Sequence, residues 1–78
     1  MVKVQPTKKV YWAGNLNEVD DFNMPYGKFM YDGKLRSGTQ WANMSDKAWR
    51  MYGCGKLGTG FGQKYEKQSD GQWLKVEG

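Results

Sequence analysis

Apolar and polar residues alternate over the last third of the chain, and the alternation is interrupted at Asp70-Gly71. That pair suits a two-residue type I′ turn, whose central residues both take positive φ. A two-residue loop sets Ser69 opposite Gln72, Gln68 opposite Trp73, Lys67 opposite Leu74, Glu66 opposite Lys75, Tyr65 opposite Val76 and Lys64 opposite Glu77. Complementary charges then share one face, and Tyr65, Leu74 and Val76 share the other with Phe61 further along. A slip by one residue would turn the apolar set to solvent, so the pattern predicts a hairpin over about 61–77.

Asp32-Gly33 predicts a second turn by the same rule, pairing Tyr31 with Lys34, Met30 with Leu35, Phe29 with Arg36 and Lys28 with Ser37. One face of this ribbon carries Phe29, Tyr31, Lys34 and Arg36, two aromatic rings across from two cations. Upstream, KKVYWA alternates as a strand over about 8–13, with a shorter strand through Val2 and Val4 ahead of Pro6. Residues 14–25 are polar, acidic and turn-like, a loop long enough to have a purpose.

The segment SDKAWRMYG predicts a helix over 46–52, with Ser45 as N-cap, Asp46 in the first turn and Gly53 as the left-handed residue that ends it. Met44 and Trp49 are spaced as a hydrophobic staple. Two turns are unstable alone, so the helix must pack on the sheet.

Between helix and final hairpin lies GCGKLGTGFG, where Gly53, Gly55 and Gly58 match the G-x-G-x-x-G spacing of nucleotide cradles. The order here is helix, loop, strand, the reverse of the arrangement that presents N–H groups and a helix dipole to phosphate. The structural expectation is a strand over about 57–68 whose bare outer face is Gly58, Gly60 and Gly62 and whose inner face is Leu57, Thr59 and Phe61.

Together these elements predict one small domain spanning residues 1–78, α+β and mainly β: a coiled antiparallel sheet of four or five strands, in the manner of an SH3-like or OB-like partial barrel, with one short helix near 46–52. A chain of 78 residues with a single cysteine cannot rely on an internal disulfide, so twelve aromatic residues must supply much of the core.

Composition then narrows the chemistry. The chain has no histidine, which excludes Ser–His–Asp and Cys–His nucleophilic sites and His-containing metal sets, and Cys54 alone cannot hold zinc. No enzyme, cofactor or metal site is expected. The opening MVKVQPTKKV lacks the apolar run of an export signal and no stretch is long enough to span a membrane, so the unpaired thiol points to the cytoplasm.

Twelve Lys and Arg against eight Asp and Glu give a net charge of +4 and favour a polyanionic or acidic partner. The first candidate is nucleic acid, single-stranded or read without sequence preference, stacked on Phe29 and Tyr31 with phosphates met by Lys34, Arg36, Lys8 and Lys9. The alternative is a larger protein, docked through Glu18, Asp20 and Asp21, with this chain acting as an inhibitor or adaptor like the accessory proteins of mobile elements. Exposed edge strands in so short a sheet would also allow a homodimer.

Overall fold

A computed structural model describes residues 9–78. Its backbone is organised around β1 (Phe29–Lys34), which pairs on one side with β2 (Trp41–Ser45) and on the other with β3 (Gly62–Lys67). With β4 (Trp73–Glu77) outside β3, the four strands form one antiparallel open sheet in the order β2-β1-β3-β4. Helix α1 (Asp46–Tyr52) follows β2 without a linker. The α+β expectation holds, with four strands and one short helix.

The helix begins as its sequence dictates. Ser45 Oγ accepts the Ala48 N–H at 3.2 Å, and Asp46 sits in the positive first turn. Its far end differs from expectation, because Gly53 has φ −73° and ψ 161°, an extended conformation any residue can take. Glycine is required there by space: a Cβ at Gly53 would run into the Trp49 indole.

That indole organises the core. It stacks on Tyr31 with ring centres 5.0 Å apart and planes 6° from parallel, and the Tyr31 hydroxyl donates to Asp46 Oδ1 at 2.9 Å. Gly33 and Gly62, paired across β1 and β3, form the floor beneath its other end. A Cβ on Gly33 would lie 2.7 Å from Trp49 Cζ3. Tyr31, Ala42, Met44 and Ala48 are buried around this stack, with Phe22, Met24 and Leu35 packed against them.

Both turn predictions are corrected, to different extents. Asp32 and Gly33 lie inside β1 and make no turn; β1 runs through to Lys34 and pairs Tyr31 with Met44 and Lys34 with Trp41. The chain reverses over residues 35–40, closed by Leu35 N–H donating to the Gln40 carbonyl at 2.9 Å. The Met30–Leu35 and Phe29–Arg36 pairings therefore do not form.

The final hairpin forms, with its register moved by one. Gly71 takes φ +90° and the loop spans three residues, so Lys67 faces Trp73, Glu66 faces Leu74 and Tyr65 faces Lys75. A bulge between Lys64 and Tyr65 then restores the expected Lys64–Glu77 pair. Glu66 loses its predicted partner and pairs with Lys28 Nζ at 3.1 Å.

The expected strand from residue 57 is also shortened. Gly58 and Gly60 adopt φ of +126° and +88°, and Gly58 N–H donates to the Gly62 carbonyl at 2.7 Å, so 58–61 is a tight turn. No bare glycine face exists: Gly62 is buried under Trp49, and only from there does β3 run.

Residues 10–28 wrap the sheet. At β4, Trp12 N–H donates to the Trp73 carbonyl and Lys75 N–H to the Val10 carbonyl, with a single bridge at Tyr11 in place of the predicted strand. At β2, Asp21 N–H donates to the Asn43 carbonyl, Asn43 N–H to Asp21 Oδ2 and Ser45 N–H to Asp20 Oδ2. Part of each outer edge is thus occupied by this chain's own groups, which leaves less free edge for a second copy to pair with. The strand foreseen through Val2 and Val4 lies outside the described residues.

Candidate nucleic-acid interface

The candidate surface starts at the loop after α1. Cys54 N–H donates to the Lys34 carbonyl at 2.9 Å, Lys34 N–H donates to the Phe61 carbonyl at 2.8 Å, and the two ends of the loop are tied to β1. Cys54 Sγ lies 3.6 Å from the Lys56 carbonyl and 3.7 Å from that of Phe61, closing the loop from inside. On this tethered backbone, between two glycines, the Phe61 ring is 37% exposed.

Two ammonium groups bracket that ring, Lys34 Nζ 5.5 Å and Lys56 Nζ 5.3 Å from its centre. Trp41 is the cross-strand partner of Lys34 and is 43% exposed. Directly opposed residues share a sheet face with Cβ atoms about 5 Å apart, so Trp41, Lys34 and Phe61 follow one another across the strands.

A similar pairing stands at the other end of the same face. Lys67 Nζ is 6.0 Å from the Trp73 ring centre, and Tyr26 meets Trp73 edge-on at 5.7 Å. Lys34, Trp41, Lys67 and Trp73 all have the alternation opposite to Tyr31, whose ring lies under α1. This is the face turned away from the helix, and its two ends are about 17 Å apart along β3.

Of the residues singled out in the sequence, the structure brings few together. Tyr31 is 5% exposed between sheet and helix, and burial with the Asp46 hydrogen bond pushes its hydroxyl pKa up to about 12. It has no free face for stacking, which overturns the ribbon of Phe29, Tyr31, Lys34 and Arg36. Phe29 is half-buried beside the core, with Lys64 Nζ 4.1 Å from its centre. Arg36 is exposed but turned to α1, where its guanidinium donates to the Arg50 carbonyl at 3.2 Å. Lys9 is exposed, and Lys8 lies outside the described residues.

The acidic loop divides in the same way. Asp20 is buried, accepting from Phe22 N–H at 2.9 Å, Met24 N–H at 2.8 Å and Ser45 N–H at 2.8 Å. Burial opposes its ionisation, yet these donors prevail and hold its pKa below the ordinary aspartate value. Asp20 therefore fastens the loop to the sheet and offers no surface to a partner. Glu18 remains exposed.

Asp32 is displaced upward by burial and by Asp21, and Tyr26 is pushed up to about 12 by burial and the carboxylates of Asp21, Asp20 and Asp32. Negative charge is thus concentrated toward the β2 side of this face. The lysines of the two aromatic pairs stand at its ends.

Lys56, Phe61, Trp41, Lys67 and Trp73 were not among the expected contact residues. For Phe61 a signal was present: a large ring flanked by Gly60 and Gly62 cannot be covered by its own neighbours. No family model matches this sequence, and neither a curated protein nor a solved structure matches it. Among the described residues no helix is long and apolar enough to cross a membrane.

Proposed function

We propose that this chain is a non-enzymatic binding protein for nucleic acid, engaging single-stranded segments without strong sequence preference. The observation that carries this reading is the exposed Phe61 ring bracketed by Lys34 and Lys56, with Trp41 beside Lys34. An exposed ring stacks on any base for about 1–3 kcal/mol, and lysines at its rim meet the flanking phosphates. The net charge of +4 adds long-range attraction, and the unpaired Cys54 suits a reducing cytoplasm.

Anisotropy of a fluorescent oligo(dT) titrated with the protein across a salt series tests the reading. Affinity should fall steadily with salt. Phe61→Ala should weaken binding by about ten-fold, and Lys34→Ala with Lys56→Ala should lower the salt slope by about 1.4. Absence of binding at low salt would eliminate it.

A second reading, a protein-interaction module acting as inhibitor or adaptor, is favoured by one different feature. A groove of about 320 Å³ lies between Phe22, Leu35, Met51 and Tyr52, with Arg36 at its rim. Met51 is 45% exposed there. Met51→Asp would abolish capture of a protein partner and leave oligonucleotide binding intact.

A further inference from the structure

The far end of the same face holds more than a stacking ring. Two adjoining clefts, of about 350 and 320 Å³, share Leu16, Gly71 and Trp73 and open between the residue 12–18 loop and the final hairpin turn. Their walls combine the Trp73 and Tyr26 rings with the polar side chains of Glu18, Lys67, Asn17 and Gln72. Gly71 lies at the rim of both clefts, with open space where a Cβ would be.

Rings beside hydrogen-bonding groups are the chemistry of base recognition: the ring takes the flat face and the polar groups read the edge. Glu18 decides which edge. A carboxylate only accepts, through two oxygens side by side, and so requires two adjacent donors. Among the common bases guanine alone offers these on its pairing edge, at N1–H and the N2 amino group. Adenine and cytosine place a donor beside an acceptor, and uracil or thymine has one donor between two acceptors. Glu18 is exposed and enters no ion pair among the described residues, so its oxygens are free for this task.

We infer that the cleft along Trp73 receives a guanine base, stacked on the Trp73 indole with its N1–H and N2–H groups donating to Glu18. Lys67, poised 6.0 Å over the same indole, meets the attached phosphate. This inference rests on the nucleic-acid reading and sharpens it: Phe61 takes any base, and the Trp73 cleft selects one. A strand would thus be held at both ends of the face, with preference expressed at only one of them. The base can come from a strand or from a free nucleotide.

The test has two arms. In the first, anisotropy compares a ten-residue oligo(dT) with the same strand carrying one internal guanine. The guanine strand should bind about ten-fold more tightly, and Glu18→Gln should bring it down to the oligo(dT) value. Equal binding of both strands would overturn the inference and leave the general reading standing; failure of both strands at low salt would overturn the general reading. The second arm titrates 5′-GMP or 5′-CMP while following the Trp73 indole N–H signal by NMR. A shift with GMP alone, lost in Glu18→Gln, supports the cleft assignment even if neither strand binds. No shift, or equal shifts with both nucleotides, overturns it.

Discussion

Asp32-Gly33 and Asp70-Gly71 are the same dipeptide in two different roles. At Asp70-Gly71 the glycine is at the surface with φ +90° and empty space where a Cβ would be, and Asp70 Oδ1 accepts the Gln72 N–H at 2.9 Å. There the pair acts by its backbone preference. At Asp32-Gly33 the strand runs straight through, φ is not positive, and the missing side chain is what counts, because the Trp49 indole occupies its place. A turn signal is a statement about φ, and it loses when a ring of that size needs the same glycine as floor.

The largest effect should come from disturbing the buried member of the comparison. Trp49→Ala removes a ring packed on Tyr31 and three glycines and should cost about 3 kcal/mol in urea denaturation. Gly33→Ala should cost about 2 kcal/mol by forcing that ring aside. The informative measurement is the double variant: with the indole gone, Gly33→Ala should cost nothing or stabilise slightly, since alanine suits a strand better than glycine. Additive losses would show that Gly33 is needed for some reason other than Trp49.

The exposed member should respond more weakly. Gly71→Ala places a Cβ on a residue at φ +90° without any clash, so the cost should be the backbone strain alone, about 1 kcal/mol. Replacing Trp49 should not change that cost. Coupling between the two sites would mean that the Trp49 core reaches the surface turn.

This contrast also marks what the sequence could disclose. The helix over 46–52, its Ser45 cap and the final hairpin were legible because capping, staple spacing and a surface turn are local properties. The register error of one residue arose because Asp-Gly serves equally in a two-residue loop and in a three-residue loop with glycine last. The first hairpin and the glycine strand were misread for a common reason: Gly33, Gly53 and Gly62 are explained by one side chain that reaches them from elsewhere in the chain. The candidate interface was half legible. Aromatic rings do meet lysines on this protein, but the sheet order decides which, bringing Lys34 to Phe61 and Lys67 to Trp73 and covering Tyr31.

Asp32, which precedes the buried glycine, extends the comparison to pH when set against Asp20 of the 10–28 segment, and here the expected effect is smallest. Asp32 is half-buried beside Asp21, and burial raises its pKa in the folded chain. For an acid so displaced the folded state takes up the proton first, so its charge lowers stability at neutral pH and that penalty fades as pH falls through the raised pKa. Asp32→Asn should therefore raise Tm slightly at pH 7, with the gain shrinking toward pH 4. Asp20 has the opposite sign: its pKa is lowered by Ser45, Met24 and Phe22 N–H donors, so its contribution is present above the ordinary aspartate pKa and lost as pH falls through the folded value. Asp20→Asn should lower Tm at pH 7, and its deficit against the unaltered chain should close only in stronger acid. If Asp32→Asn lowers Tm at pH 7 as Asp20→Asn does, the half-buried carboxylate at position 32 is stabilised by its surroundings and the two carboxylates do not differ in sign.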